Sequence, residues 1–153
     1  QNCKTLISYG DLLYKKFIPS MLLETGADIV LAVDPNWEQS SQKGRYMDYV
    51  IASDPYHKGL FDKPVLIKKF GPRLFESDIT GEWFGVLLLS PKGFAVLKST
   101  LDDLARKENF SQMRMADLMT ELLDRGHTVH AVYVNGHWID VDDVKDFNLA
   151  GSF

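Results

Sequence analysis

The sequence has few of the residues that build several common kinds of functional site. Cys3 is its only cysteine, which excludes an internal disulfide framework and a cysteine-rich zinc site and fits a reducing cytoplasm. No apolar run approaches the length of a membrane span, so no membrane partner is expected. The 17 basic residues are outnumbered by 21 acidic residues, and the formal net charge is −4. We therefore do not expect a broad basic surface that binds nucleic acid.

Motifs of several enzyme classes are also missing. There is no G-x-G-x-x-G segment, no Walker A loop and no G-x-S-x-G elbow, and the four histidines are not spaced as a zinc cluster. The first residues, Gln1 to Lys4, form neither a signal peptide nor an initiator methionine. We therefore expect the chain to begin inside a longer gene product.

Apolar patterns of strand and helix type alternate along the chain. Strands are predicted at 5–9, 28–34, 46–53, 65–70, 83–90, 129–134 and 138–141, and helices at 12–24, 91–107 and 113–125, with a polar loop at 35–45. This alternation predicts one α/β domain over residues 1–153, a sandwich with a mixed, mostly parallel sheet.

Local signals refine these elements. Pro19 is expected to kink or restart the helix over 12–24, and Ser90 followed by proline is an N-cap pattern. Asn135-Gly136 predicts a hairpin turn that pairs the strand over 129–134 with the strand over 138–141. Asp143 is expected to cap a last helix, with Asp146 near its third position.

Carboxylates follow or end two of the predicted strands. Asp11 comes directly after the first strand, where ligands bind in open α/β sheets, and it could hold Mg²⁺ or cap a helix beginning at Leu12. Strand alternation would place Asp140 and Asp142 on one face. On residues alone, a metal site and a solvated acidic rim are equally good explanations of this second pair.

Other candidates carry weaker signals. A pocket for a cationic or amphipathic ligand could be lined by Tyr9, Trp37, Glu82 and Trp83, although packing in the core explains Trp83 better. Phosphates could be contacted by Lys15, Lys16, Lys68, Lys69 and Arg73, but scattered lysines usually belong to a solvated face.

Four segments, in order, are similar to one family, the sugar-phosphate and phosphocholine nucleotidyltransferases, which have a GT-A-like variant of the Rossmann fold. They are Ile7-Ser-Tyr-Gly-Asp11, the strand over 28–34, Gly81-Glu-Trp-Phe-Gly-Val-Leu-Leu-Leu-Ser90 and Trp138-Ile-Asp-Val-Asp-Asp-Val-Lys-Asp-Phe147. The resemblance spans nearly the whole chain. Asp143 and Val144 stand where the family usually has Thr-Pro.

The resemblance implies a function and a set of site residues. Asp11 and Asp142 correspond to the catalytic Mg²⁺ ligands, Asp140 would be a further or alternate ligand, and Glu82, Trp83, Tyr9 and Lys15 would contact the acceptor. The implied reaction transfers a nucleotidyl group from a nucleoside triphosphate to a phosphonate or phosphate.

Within that family, the chain most resembles the cytidylyltransferase domains of phosphonate biosynthesis, which are often fused to phosphoenolpyruvate phosphomutase. This implies CTP as donor and an acceptor such as 2-aminoethylphosphonate. The family's N-terminal glycine-rich nucleotide-binding loop has no counterpart here, so the chain resembles the C-terminal part of the domain. A truncated, non-catalytic assembly module remains the alternative.

Overall fold

The computed structural model describes residues 3–39, 47–60 and 63–153. Eight strands and four α-helices follow one another along these residues, with short 3₁₀ turns between some of them. Their bounds are β1 Thr5–Ser8, β2 Leu12–Tyr14, α1 Phe17–Glu24, β3 Ile29–Asp34, β4 Asp48–Ala52, β5 Val65–Gly71, β6 Gly81–Leu89, α2 Pro91–Leu104, α3 Met115–Asp124, β7 His130–Tyr133, β8 Trp138–Asp140 and α4 Val144–Ala150.

Six strands form the central sheet in the order β1-β6-β3-β7-β5-β4. β3 and β6 are buried along their whole length, because both are near-continuous apolar runs covered on two faces. β4 also pairs with the first residues of β6, so β6, β3, β7, β5 and β4 are linked in a ring. β1 pairs with the later part of β6.

Two apolar clusters cover the two faces of the sheet. The larger contains residues of α2 and α3, and the smaller contains residues of α1 together with Leu12 of β2. β2 pairs with β8 in a separate two-stranded sheet, and Trp138 of β8 packs against the smaller cluster. The β2–β8 sheet therefore lies on the α1 side of the molecule.

The α/β class and the mixed sheet are confirmed, but the balance of strand directions differs from the prediction. Among the described strands, parallel pairing occurs between β3 and β7, and the other pairings in the central sheet are antiparallel. The periodicity of a single strand shows whether both its faces are covered, but it does not show the direction of its neighbours.

Two local predictions were wrong. Leu12–Tyr14 is a strand rather than the start of a helix, so Asp11 does not cap a helix there; Lys16 occupies the N-cap of α1. Pro19 lies in the first turn of α1, where the missing amide hydrogen costs little, and it does not divide the helix. The predicted loop over 35–45 and the predicted strand start at Tyr46 fall partly outside the described residues.

The predicted hairpin was also wrong. β8 pairs with β2 instead of β7, because the chain leaves the central sheet after β7 and crosses to the α1 side.

The two predicted helix caps are confirmed. The Ser90 hydroxyl accepts a hydrogen bond from the Gly93 amide, and the Asp143 carboxylate accepts from the Lys145 and Asp146 amides.

Asp48 is a partly buried acid at the start of β4, where this strand pairs with β6. Its Oδ1 atom is buried and has no hydrogen-bond partner among the described residues. Burial raises the pKa of Asp48 to about 6, although Arg114 opposes the shift and Asp117 adds to it. The folded state therefore favours the protonated carboxyl group, and stability is lost as pH rises through about 6.

Asp48→Asn is therefore expected to stabilise the fold above pH 6. At pH 8 the gain should be about 1–2 kcal/mol, which is the pKa shift converted to free energy and reduced for partial exposure to solvent. At pH 4 the two proteins should unfold at nearly the same urea concentration, because Asp48 is then largely protonated. An equal gain at both pH values would contradict the assignment to titration.

Candidate metal centre

The β2–β8 ladder brings the two distant acidic segments together. Leu12 lies opposite Asp140 in the antiparallel register, and the Val141 amide donates a hydrogen bond of 2.9 Å to the Asp11 carbonyl. Because Asp11 precedes β2 and Asp142 follows β8, both lie at the same end of this ladder. Residues separated by about 130 positions in sequence therefore become neighbours through one short strand pair.

Asp11, Asp140 and Asp142 form one carboxylate cluster, here called the Asp triad. One oxygen from each side chain lies within 4.8 Å of the others. Asp11 and Asp142 are exposed and Asp140 is half-buried. Three like charges at this separation repel one another by about 1 kcal/mol per pair even in water, so a cation that entered the cluster would relieve this repulsion.

Asp34 joins the triad segment to the central sheet. It is buried at the end of β3, and its Oδ2 accepts hydrogen bonds from the Gly136 amide at 3.0 Å and from Trp138 Nε1 at 2.8 Å. Its Oδ1 accepts from the Asn36 amide at 2.8 Å. One carboxylate thus holds both the turn that precedes β8 and the first side chain of β8.

Trp138 receives a second constraint from an aromatic stack. Its ring lies parallel to that of Phe84, with centroids 4.7 Å apart and planes 7° apart. Phe84 is buried in β6, so the stack packs β8 against the main sheet. Together with Asp34, the stack fixes the strand that presents Asp140 two residues later.

The Asp142 end of the triad is positioned by α4. Asp143 caps this helix, and buried Asp146 accepts a hydrogen bond of 3.3 Å from the Asp142 amide through Oδ2. The helix start therefore fixes the backbone of Asp142 and leaves its side chain with the rest of the triad. Asp34 and Asp146 are positioning residues that were not predicted as part of the site.

The residues of the triad fit a hard divalent cation. Mg²⁺ takes oxygen ligands, binds through one or two protein carboxylates, and keeps waters or substrate phosphates in its remaining positions. A set of three carboxylates, two exposed and one half-buried, matches that preference for oxygen, and a cysteine or histidine set would not. A cleft of about 280 Å³ borders Asp140 and is lined in part by Asp34, Trp138 and Asp146, which leaves space beside the triad.

Tyr9, two residues before Asp11, contacts Trp83 of β6, and Glu82 is the residue before Trp83. The rings of Tyr9 and Trp83 are 5.4 Å apart, and the Tyr9 amide donates to the Gly85 carbonyl. Trp83 is 3% exposed and its Nε1 donates to the Val86 carbonyl. It therefore packs in the core, which is the role that the sequence favoured for it. Glu82 is buried and lies between Asp34 of β3 and Tyr49 of β4 in the strand register.

Lys15 lies at the opposite end of the β2–β8 ladder from the triad. Its amide donates to the His137 carbonyl at 3.1 Å. Its ammonium group donates to the Phe153 carbonyl and lies 4.3 Å from the centroid of the Phe153 ring. The structure thus brings the three predicted metal ligands together, while Tyr9 and Trp83 contact each other and Lys15 lies away from the triad.

Comparisons with known proteins identify the fold. No family model matches the sequence, and no curated protein matches it at a significant level. Solved structures do match. The inositol-1-phosphate CTP transferase from T. maritima superposes with a TM-score of 0.62 at 20% identity, and the match covers 95% of this chain and 52% of that one.

Two UDP-glucose pyrophosphorylase structures give similar values. One, in complex with UDP-glucose, has a TM-score of 0.67 at 14% identity over 99% of this chain and 55% of its own. Another, from Acinetobacter, has a TM-score of 0.66 at 12% identity over 98% of this chain and 50% of its own. The chain therefore has the fold of nucleotidyltransferases, and it spans about half the length of these neighbours.

Among the described residues, no helix combines the length and apolar character that a membrane crossing requires. The fold neighbours are named as transferases and pyrophosphorylases of small phosphorylated molecules.

Proposed function

We propose that this chain is the metal-binding part of a nucleotidyltransferase, and that Asp11 and Asp142 hold a catalytic Mg²⁺ with Asp140 as a further or alternate ligand. The observation that carries the proposal is the convergence of three carboxylates to within 4.8 Å in a chain with a nucleotidyltransferase fold. The named activities of the fold neighbours support the reaction class.

The reaction proposed is attack of an acceptor oxygen on the α-phosphorus of a nucleoside triphosphate. The new bond joins that oxygen to the α-phosphorus, and the bond to the β-phosphate oxygen breaks to release pyrophosphate. Such chemistry depends on alignment and charge neutralisation more than on covalent participation by the protein. A bound Mg²⁺ would supply the positive charge that two approaching anions need.

The chain's own residues would hold the reacting groups in place. Asp11 and Asp142 would fix the position of the cation, and Asp34 and Asp146 would fix the backbone that carries these ligands. Tyr9, two residues before Asp11, and Glu82 are the candidate contacts to the acceptor, and Trp83 would support Tyr9 from the core. Lys15 would act as a more distant contact.

We propose CTP as the donor and a phosphonate or phosphate as the acceptor, within phosphonate biosynthesis. The name of the neighbour from T. maritima, a CTP transferase, supports the choice of base. A phosphonate acceptor, with 2-aminoethylphosphonate as the example, is supported by the resemblance of the Tyr-Gly-Asp-Leu-Leu-Tyr-Lys-Lys segment and the Gly-Glu-Trp strand.

We further propose that the nucleotide-binding loop lies in another part of the same protein, and that a phosphomutase domain is fused to it. The match to only about half of each fold neighbour supports a divided site. The isolated chain should then bind a divalent cation but release little or no pyrophosphate.

The test is pyrophosphate release from CTP and 2-aminoethylphosphonate by the full-length protein with Mg²⁺. Asp11→Asn and Asp142→Asn should each lower the rate by about 100-fold or more, because each removes electrostatic stabilisation of the transition state. Binding of Mn²⁺ to the isolated chain, followed by electron paramagnetic resonance, should weaken in the same two variants. Asp124→Asn, an exposed acid at the end of α3, is the matched control and should leave both values unchanged.

Two outcomes would count against the proposal. Full activity in either Asp11→Asn or Asp142→Asn would exclude the assigned metal ligands. Folded full-length protein that binds neither Mn²⁺ nor nucleotide would favour the alternative, a non-catalytic assembly module.

A further inference from the structure

A second cavity lies beyond the Lys15 end of the β2–β8 ladder. It has a volume of about 450 Å³, within the range of small-molecule sites. Tyr133, Val134 and Met21 form a buried floor, while Phe17 and His137 stand exposed at the rim. The candidate acceptor contacts Tyr9, Glu82, Trp83 and Lys15 do not line it.

The lining is aromatic and carries no acidic side chain, lysine or arginine among the described residues. Phe17 and His137 meet edge to face with ring centroids 5.2 Å apart, and Tyr56 and Tyr133 do so at 5.7 Å. The Tyr133 hydroxyl donates to the Asp54 carbonyl at 2.7 Å, so this ring offers mainly its carbon atoms. Such a surface suits an uncharged ring or hydrocarbon chain.

The ladder sets the distance between this cavity and the Asp triad. Asp140 ends β8 and His137 directly precedes that strand. A strand advances about 3.3 Å per residue, which gives roughly 10 Å between the backbones of the two residues. The Lys15 amide bonded to the His137 carbonyl continues the pairing to the rim of the cavity. One elongated ligand could therefore touch both places.

We propose that this cavity binds the uncharged apolar body of the acceptor, whose phosphonate or phosphate group lies at the Asp triad. The inference rests on the proposed function, and it adds to the acceptors of that function molecules that extend about 10 Å from phosphorus, by the strand rise given above. The two-carbon arm of 2-aminoethylphosphonate, at about 1.5 Å per bond, is too short to reach the cavity, so that acceptor would occupy the Asp triad alone. An acceptor that fills the cavity is therefore larger than that molecule.

A series of ω-phenylalkylphosphonates, from phenylphosphonate to 8-phenyloctylphosphonate, tests this directly. Binding to the chain would be measured by calorimetry with Mg²⁺ present. Affinity should peak at five or six methylene groups, where the ring lies about 10 Å from phosphorus by ordinary bond lengths. The best compound should bind about 10- to 100-fold more tightly than phenylphosphonate, because it buries a phenyl ring.

Three variants separate the cavity from general apolar binding. Phe17→Ala and His137→Gly should flatten the peak, and glycine suits the backbone of residue 137, whose φ is 64°. Phe75→Ala is the matched control, because Phe75 is 80% exposed and does not line the cavity. Affinity that rises steadily with chain length and is equal in all four proteins would overturn the proposal.

Phenylalkanols of the same chain lengths distinguish binding in the cavity from binding at the Asp triad. Equal affinity for 5-phenylpentan-1-ol and its phosphonate counterpart, with no dependence on Mg²⁺, would overturn the link between the cavity and the triad. A sharp optimum in length without any pyrophosphate release by the full-length protein would support the cavity assignment and contradict the proposed function.

Discussion

Gly93→Ala is expected to be among the most destabilising single substitutions in the chain. A Cβ atom built at Gly93 would lie 1.9 Å from the Asp28 carbonyl oxygen and 2.7 Å from the carbon of the same group. These are backbone atoms at the entry to β3, and they cannot rotate away. We expect a loss of about 3 kcal/mol or more, because overpacking of a close backbone contact forces the elements apart.

Local hydrogen bonds prevent α2 from moving to relieve this contact. The Ser90 amide donates to the Asp28 carbonyl at 2.9 Å, and the Ser90 hydroxyl donates to the Asp28 carboxylate at 2.5 Å. The direction of the effect is informative, because alanine in an open helix position would stabilise by about 1 kcal/mol relative to glycine.

Urea unfolding measures the effect, with Gly151→Ala as the control. Gly151 has ordinary helical φ and its nearest contact is 3.4 Å away, so its substitution should change stability by no more than about 0.5 kcal/mol. A Gly93→Ala protein as stable as the wild type would show that α2 and β3 are packed less closely than the structure indicates.

Sequence patterns predicted the central elements well, because each reflects a local rule. The predicted strands over 28–34 and 83–90 are near-continuous apolar runs. The strands found there, Ile29–Asp34 and Gly81–Leu89, are buried along their whole length. Ser90 followed by proline and Asp143 followed by Asp146 mark helix starts by side-chain hydrogen bonds, and the structure contains both caps. Such signals need no knowledge of distant residues.

Pairing partners could not be predicted in the same way. Leu12–Tyr14 fits a helical face when read with the residues that follow it, and only its pairing with β8 makes it a strand. That pairing joins segments over 120 residues apart, so its formation depends on tertiary packing that overrides local propensity. The same crossing separated β8 from β7 and removed the predicted hairpin.

The Asp triad could be predicted in part from the sequence. Strand alternation predicted that Asp140 and Asp142 share a side, and the order of motifs paired them with Asp11. The buried acids that position the triad, Asp34 and Asp146, gave no comparable signal. Asp34 looked like the last residue of a strand, and its partners at Gly136 and Trp138 become visible only when β3 and β8 are placed together.

Asp34→Ala should therefore lower both the free energy of unfolding and the affinity for metal. The change removes the acceptor of three hydrogen bonds and leaves the Gly136 amide and the Trp138 indole without it. Unmet buried donors cost about 1–3 kcal/mol each, so a loss of about 2–4 kcal/mol is expected in urea unfolding. Mn²⁺ affinity should fall by about 10-fold or more, since supporting residues of metal sites have effects of that size.

Asp34→Asn provides the variant that keeps the size of the side chain if the alanine protein does not fold. Its amide can accept through one oxygen but must turn an NH₂ group towards one set of donors, so both effects should persist at reduced size. Trp138→Phe removes the indole donor while keeping a ring to stack on Phe84, and the double variant with Asp34→Asn should lose less than the sum of the two single changes. Strict additivity, or unchanged Mn²⁺ affinity in a folded Asp34 variant, would mean that β8 and the triad hold their positions without this carboxylate.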